Sequence, residues 1–154
     1  MEIYDLLVPA GVIANLRASN KRQVLQELGA RAAALTQHDE HKIFETLWER
    51  EQLGTTGIGG GTAVPHGRLA NLTRPVAIFA RLEKPVAFDA IDAQPVDLVF
   101  MLLTPPDAGA NHLKALARIS RLLRDRAMCA KLRGTDDADA IYALLTDRAA
   151  SHAA

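Results

Sequence analysis

Residues 54–67 read Gly-Thr-Thr-Gly-Ile-Gly-Gly-Gly-Thr-Ala-Val-Pro-His-Gly, and they contain six of the ten glycines in this 154-residue chain. A backbone so rich in glycine can adopt conformations and make close approaches that a Cβ atom would forbid. The stretch ends in Pro65-His66-Gly67, where proline restrains the chain before a histidine and glycine leaves its other side open. We therefore expect a specialised loop that presents His66.

The glycine spacing fits neither of the two common nucleotide-binding motifs. A P-loop needs Gly-Lys followed by Ser or Thr, yet no lysine lies between Lys42 and Lys84. A dinucleotide-binding fingerprint that began at Gly57 would need its third glycine at the position of Thr62. The segment must therefore serve another purpose.

The chain before this segment predicts one short strand and two helices. Residues 12–17 alternate in a way that suggests a strand. Asn20 is a candidate N-cap for a first helix, whose apolar residues recur at helical spacing as far as Leu35. A second helix is expected to begin after Asp39 and to end near Gly54.

The chain after the segment predicts two strands followed by helices. Residues 76–82 and 96–104 are rich in β-branched or bulky apolar residues, and we expect the second run to be a buried strand. Helical spacing follows from Asn111, a candidate N-cap, to Leu145, with a break at Gly134. This order predicts an α/β fold, a layered single domain with a small mixed parallel and antiparallel sheet flanked by helices.

Length and composition narrow the class of protein. A chain of 154 residues with 49% hydrophobic content can close one core of ordinary size, so we expect one domain over residues 1–154 with its core at about 5–148. The 18 Lys and Arg residues equal the 18 Asp and Glu residues, and this balance argues against binding to nucleic acid or to an anionic membrane surface.

The sequence also predicts a cytoplasmic location. The first residues lack the basic and apolar regions of a signal peptide. Apolar runs stop well short of the roughly 20 residues that a membrane-spanning helix requires, so no membrane insertion is expected. Cys129 is the single cysteine, which excludes an internal disulfide and fits a reducing compartment.

His66 is the first candidate for chemistry. An imidazole with an unperturbed pKa of about 6.5 is largely neutral at neutral pH, so one ring nitrogen can offer its lone pair to phosphorus without a separate base. The alternative is an ordinary surface histidine in a loop.

Arg50 and His112 could complete a phosphoryl-transfer pocket that needs no metal ion. Arg50 falls on the inner side of the second helix, close to the glycine-rich segment, and a guanidinium fork suits phosphoryl oxygens. It could instead cover the edge of the core or pair with a carboxylate. His112 leads a later helix, whose N-terminus would offer free N–H groups and a positive dipole end to a phosphoryl group. The alternative for His112 is a buried structural role.

Three other sites are expected to carry no chemistry. The run from His38 to His41 resembles a metal cluster, but it has no third distant ligand, and its two carboxylates suit a helix N-terminus. Cys129 lies between apolar neighbours, where an inert buried thiol is the common case. His152 is expected in a frayed C-terminal tail. We therefore expect neither a metal nor a cofactor.

Residues 55–67 resemble the active loop of the fructose/mannitol-type IIA proteins of the phosphotransferase system. Residues 88–100, Phe-Asp-Ala-Ile-Asp-Ala-Gln-Pro-Val-Asp-Leu-Val-Phe, are similar to the nitrogen-regulatory branch of that family, EIIA-Ntr. The later Thr104-Pro105-Pro106 and His112-Leu113 extend this similarity over nearly the whole chain.

The resemblance implies a single type-2 EIIA domain with a fold of the phosphotransferase/anion-transporter type. It implies that His66 is the phosphorylated histidine and that Arg50 and His112 are its pocket partners. The phosphoryl group would come from an HPr-like phosphocarrier, called NPr in the nitrogen branch, and the protein would be a phosphotransferase with a mainly regulatory role. Two alternatives stay open: a sugar-specific IIA component that passes phosphate to a IIB partner, and a non-catalytic protein-binding module.

Overall fold

The computed structural model describes residues 1–147, so His152 and the end of the predicted domain lie outside the described residues. The strands are β1 (Val12–Leu16), β2 (Gly57–Gly59), β3 (Thr62–Ala63), β4 (His66–Arg68), β5 (Val76–Val86) and β6 (Val96–Thr104). The helices are α1 (Lys21–Thr36), α2 (Glu40–Leu53), α3 (Ala110–Arg124), α4 (Arg126–Arg133) and α5 (Ala138–Thr146). Two 3-10 turns, Ile3–Asp5 and Pro9–Gly11, precede β1. Over residues 1–147, no helix combines the length and apolar content needed to cross a bilayer.

β6 is the central strand of a six-stranded sheet. β5 runs antiparallel along one of its edges, while β3 and β4 run parallel along the other. β1 adds to β5 in parallel, and β2 adds to β3 in antiparallel orientation. This mixed sheet, with helices packed on both of its faces, confirms the predicted α/β fold class.

Side chains of β6 alternate between two hydrophobic cores, as the two-residue period of a strand requires. Val99, Met101 and Leu103 join the core with α1 and α2, whereas Leu98, Phe100 and Leu102 join the core with α3, α4 and α5. A strand that is buried on both faces appears in sequence as an uninterrupted apolar run, which is why β6 could be predicted.

Side-chain caps set the starts of the first two helices. The Asn20 side chain accepts a hydrogen bond from the Gln23 N–H at 2.9 Å, and the Asp39 side chain accepts one from the His41 N–H at 3.1 Å. α2 ends directly before Gly54, which occupies the C-cap. The predicted limits of both helices are confirmed at these positions.

Two strand predictions need correction. The segment 54–67 is not a continuous loop, because it contains β2 and β3 and the first two residues of β4. These strands are too short to show a period in sequence, and pairing to β6 and to each other defines them. β5 continues to Val86 rather than ending at Leu82. Its register with β6 is irregular after Arg81, where Pro85 lacks the N–H that a regular ladder would use.

The prediction of Asn111 as the N-cap of α3 is wrong. Gly109 occupies that position with φ 55°, a left-handed conformation that glycine adopts without a steric penalty. The chain therefore turns into the helix earlier, and α3 begins at Ala110. His112 becomes the third residue of the helix.

The turn between β2 and β3 depends on two glycines with positive φ, 64° at Gly60 and 78° at Gly61. A Cβ atom on Gly61 would lie 2.6 Å from Nη2 of Arg133. That guanidinium donates to the Gly60 carbonyl at 2.7 Å and is paired with Asp97 at 2.8 Å. The glycine turn is thus tied to both α4 and β6.

Candidate functional site

An open cleft of about 530 Å³ lies where β4 meets α2 and the first turn of α3. Arg50 contributes from α2, His66 from β4 and His112 from α3. The structure therefore brings together all three residues that the sequence singled out.

The ring of His66 is oriented by its own chain segment. Its Nδ1 lies 2.8 Å from the Val64 carbonyl oxygen. Because a carbonyl can only accept, Nδ1 carries the proton and donates it to this bond. In the neutral ring the lone pair is then on Nε2. His66 thus has one defined nucleophilic nitrogen.

The pKa of His66 is lowered from its ordinary value, chiefly because partial burial disfavours the charged ring. The hydrogen bond to the Val64 carbonyl acts in the opposite direction and favours protonation. The positive charge of Arg50 lowers the pKa further, and the negative charge of Glu51 raises it. The net lowering favours a neutral ring at neutral pH, which is the form that can attack an electrophile.

A buried carboxylate anchors the segment that precedes His66. The Glu51 side chain is 1% exposed and accepts hydrogen bonds from the Thr56 N–H at 2.9 Å and the Thr56 hydroxyl at 2.5 Å. Lys21 Nζ lies 3.0 Å from the same carboxylate. The Thr56 carbonyl accepts the Val64 N–H at 2.9 Å, and the Val64 carbonyl binds His66. A continuous series of hydrogen bonds therefore connects Glu51 to the imidazole.

His112 lies beside His66, with ring centroids 5.8 Å apart and ring planes inclined by 57°. Its side chain is buried, and its Nδ1 is 2.5 Å from the hydroxyl oxygen of Thr104 at the end of β6. The pKa of His112 is lowered, first because of burial, then because of the charge of Arg68, and also by His66 whenever that ring is protonated. A second neutral imidazole thus faces the cleft.

The start of α3 offers fewer free N–H groups than expected. The Asn111 N–H donates to the Ala108 carbonyl at 3.1 Å, and the His112 N–H donates to the Gly109 carbonyl at 3.2 Å. Both N–H groups are therefore used by the turn that begins the helix. The expectation that these groups are free to bind a phosphoryl group is wrong for this pair.

Arg50 lies in the last turn of α2 and is half-buried. Its Nη1 donates to the Gly54 carbonyl at 2.8 Å, which holds the guanidinium beside the cleft. Within residues 1–147 no carboxylate is paired with Arg50. The ion pair with a carboxylate, which was one alternative role for this arginine, is therefore not observed there. The rest of the guanidinium fork is open to an anion in the cleft.

Arg68 is a cleft residue that the sequence did not single out. It is two residues from His66 in β4, and side chains at this spacing point to the same face of a strand. Its Nη1 lies 3.4 Å from the Pro106 carbonyl. The spacing from His66 could have revealed Arg68 only if the short strand β4 had been recognised.

Replacing Arg68 with alanine is expected to raise the pKa of His112, because the arginine charge opposes protonation of the neighbouring ring. An NMR titration of the His112 ring resonances measures this shift. Arg124→Ala removes an equal charge at the far end of α3 and should leave the titration of His112 unchanged. A His112 pKa that stays constant or falls in Arg68→Ala would contradict the assignment.

Gly67 allows β4 to lie directly against α2. A Cβ atom at this position would lie 2.6 Å from Cγ2 of Thr46. We therefore expect Gly67→Ala to separate β4 from α2 and to lower the free energy of unfolding by about 1–3 kcal/mol, as overpacking commonly does. Urea unfolding measures the change.

A second substitution should relieve this clash. The Thr46 hydroxyl donates to the Lys42 carbonyl at 2.8 Å, and Thr46→Ser keeps this bond. The same change removes the Cγ2 methyl group, which is the group that the Cβ atom added by Gly67→Ala would contact. The double variant should recover most of the lost stability, with Thr46→Ser alone as the control. A double variant no more stable than Gly67→Ala would show that another contact is responsible.

Comparison with known proteins relates this geometry to one family. Residues 6–148 match the family described as "Phosphoenolpyruvate-dependent sugar phosphotransferase system, EIIA 2". A nitrogen regulatory protein of Bradyrhizobium diazoefficiens is 53% identical over 145 residues, which cover 94% of this chain and 95% of that protein. A nitrogen regulatory protein of Escherichia coli K12 is 42% identical over 132 residues, which cover 84% of this chain and 79% of that protein.

The fold has a close counterpart among solved structures. The crystal structure of nitrogen regulatory protein IIA-Ntr from Neisseria meningitidis superposes with a TM-score of 0.88 at 32% identity. The superposition covers 94% of this chain and 99% of that one.

Proposed function

The chain belongs to the EIIA 2 family of the phosphoenolpyruvate-dependent sugar phosphotransferase system, and from this premise we propose that it is a phosphohistidine carrier phosphorylated on His66. The observation that carries the proposal is the hydrogen bond from His66 Nδ1 to the Val64 carbonyl. This bond leaves the lone pair on Nε2 of a ring in an open cleft, beside a second histidine and an arginine.

The proposed reaction is transfer of a phosphoryl group between two histidines. His66 Nε2 attacks the phosphorus of a donor phosphohistidine, and a new N–P bond forms while the donor N–P bond breaks. The electron pair of the broken bond returns to the donor imidazole. The proton on Nδ1 of His66 stays in its bond to the Val64 carbonyl, which stabilises the positive charge that develops on the attacking ring. Because one phosphohistidine replaces another, the step is readily reversible.

Two side chains are placed to counter charge on the phosphoryl oxygens. Arg50 offers the open part of its guanidinium fork, and His112 offers a ring N–H. Arg68 adds a second positive charge on the same face of β4 as His66. These groups supply electrostatic stabilisation without a metal ion.

We infer that the donor is an HPr-like phosphocarrier of the nitrogen branch, NPr, and that the output is regulatory. The relatives named nitrogen regulatory proteins, at 53% and 42% identity, support this branch. Phosphorylation would add up to about two negative charges to the cleft, which is enough to change how a protein that covers it binds. The protein would thereby report the phosphorylation state of its carrier.

The test is phosphorylation from isotopically labelled phosphoenolpyruvate. The assay contains the HPr-like carrier and a relative of Enzyme I, the protein that transfers the phosphoryl group from phosphoenolpyruvate to that carrier. We expect an acid-labile, base-stable label on this protein, located on His66 by mass spectrometry, and no label when the carrier is omitted. Absence of label with a carrier that is itself phosphorylated would favour the non-catalytic protein-binding module.

The second candidate is a sugar-specific IIA component, which the family description supports because it names a sugar phosphotransferase system. Adding a fructose-type or mannitol-type IIB protein to the labelled chain separates the two functions. The regulatory function predicts that label stays on His66, whereas rapid loss of label to IIB would establish the sugar-specific one.

A further inference from the structure

Thr104 is the last residue of β6, and its side chain is fully buried against His112. We propose that Thr104 is a positioning residue, whose hydroxyl holds the His112 ring in one orientation and one tautomer with Nε2–H directed to the phosphoryl group. This inference rests on the proposed phosphoryl transfer and adds a residue to its machinery.

The direction of the Thr104–His112 hydrogen bond follows from an inventory of donors and acceptors. Within residues 1–147 the His112 Nδ1 is the one hydrogen-bond partner found for the Thr104 hydroxyl, at 2.5 Å. If His112 Nδ1 carried the proton, the hydroxyl hydrogen would be left in a buried position without an acceptor, which is costly. The hydroxyl therefore donates, Nδ1 accepts, and in the neutral ring the proton is on Nε2.

This arrangement gives His112 a donor where the phosphoryl oxygens would lie. Nδ1 is occupied by Thr104, so Nε2 is the ring nitrogen left to face the cleft that His112 lines. A half-turn of the ring would bring a carbon atom to the hydroxyl and would move Nε2 out of place. One hydrogen bond thus selects both the tautomer and the orientation of the ring.

The sheet fixes the position of the Thr104 hydroxyl. Thr104 is paired with Arg68 of β4, and its carbonyl accepts the Leu69 N–H at 2.9 Å. The same two strands hold His66, whose partner in β6 is Leu102. The hydroxyl that orients His112 and the backbone that carries His66 therefore belong to one rigid ladder.

The lowered pKa of His112 agrees with this geometry. A doubly protonated ring would have to donate from Nδ1, and the Thr104 hydroxyl hydrogen would again lack an acceptor. Burial, the Arg68 charge and the His66 ring all disfavour the charged form as well. His112 is thus kept as a neutral hydrogen-bond donor.

NMR of the free protein tests the tautomer without any phosphoryl transfer. In wild type the ring nitrogens of His112 should show Nδ1 unprotonated and Nε2 protonated. Thr104→Val removes the hydroxyl at similar size and should shift the His112 Nδ1 resonance, whereas Thr104→Ser keeps the hydroxyl and should preserve it. Thr62→Val removes another buried threonine hydroxyl and should leave the His112 resonances in place. A protonated Nδ1 in wild type would overturn the proposal.

Kinetics of transfer from the phosphorylated HPr-like carrier test the positioning role. Thr104→Val should lower the maximal transfer rate about ten-fold, because a misplaced group costs much of its effect. The half-saturating concentration of carrier should not change, since a fully buried side chain cannot touch the carrier. Thr104→Ser should restore most of the rate. A wild-type rate in folded Thr104→Val would overturn the proposal.

The NMR and labelling experiments separate the role of Thr104 from the phosphohistidine function. If wild type accepts no label from the carrier, the phosphohistidine function fails, although the tautomer of His112 can still be read by NMR. If wild type is labelled and Thr104→Val is equally fast, the function stands and the positioning role of Thr104 is refuted.

Discussion

His66→Ala is expected to reduce phosphorylation by the HPr-like carrier to background, because the variant lacks the only ring nitrogen placed to attack from β4. The fold should persist, since His66 is only half-buried and its backbone pairing does not involve the side chain. We expect the free energy of unfolding to change by no more than about 1 kcal/mol. Labelling and urea unfolding of the same preparation measure both quantities.

His41→Ala provides the matched control for this loss. His41 is an exposed histidine at the start of α2, 3.2 Å from Glu45, and it lies outside the cleft. This variant should be labelled as fully as wild type. A folded His66→Ala protein that still takes up acid-labile label would remove His66 from the proposed role, and label that disappears only in His41→Ala would move the site elsewhere.

Glu51→Ala is expected to lower the free energy of unfolding by about 3 kcal/mol, more than any of the other substitutions proposed for this protein. The substitution leaves the Thr56 N–H and hydroxyl without their buried acceptor and leaves Lys21, whose side chain is 15% exposed, without its closer carboxylate. Transfer should fall as well, because Thr56 connects through Val64 to the imidazole of His66. Urea unfolding gives the stability, and transfer is measured where the variant is still folded.

A double-mutant cycle identifies the cause of this loss. Lys21→Met together with Glu51→Ala should cost less than the sum of the two single changes, because neither charge is then left alone. Glu49→Ala removes an exposed carboxylate from the same helix and should change the free energy of unfolding by about 0.5 kcal/mol at most. Strict additivity of Lys21→Met and Glu51→Ala would show that the two side chains do not stabilise each other.

The parts of the fold that were predictable are those with local signals. Asn20 and Asp39 cap their helices through their own side chains, and Gly54 ends α2, so short sequence patterns suffice there. β6 was recognisable because both of its faces are buried. The placement of Arg50 on the inner side of α2 followed from helical spacing, and the structure puts it at the cleft.

The features that the sequence does not predict depend on contacts between residues outside their own local segment. β4 has three residues and is defined by its register with β6, so residues 66–68 give no periodic signal of their own. Arg68 gives no sequence signal for the same reason. Thr104 acts through a contact with a residue eight positions later, across a turn that Gly109 redirects. Asn111 belongs to a common capping residue type and therefore predicts a later start for α3, whereas the backbone conformation of Gly109 sets the boundary.

One strand anchors both imidazoles, although His112 is carried by α3, whereas the arginine is carried by α2. His66 is paired with Leu102, and His112 is bound by Thr104, two residues further along β6. A strand advances by about 3.3 Å per residue, so covalent geometry alone sets the spacing of these two anchors. Arg50 stands on α2, which is attached by side-chain packing and by the hydrogen bonds between Glu51 and Thr56. β6 therefore sets the spacing of the two ring anchors, whereas the guanidinium reaches the cleft from a separate element. The cleft is thus built by two parts of the fold, with β6 anchoring both rings and α2 supplying the cation.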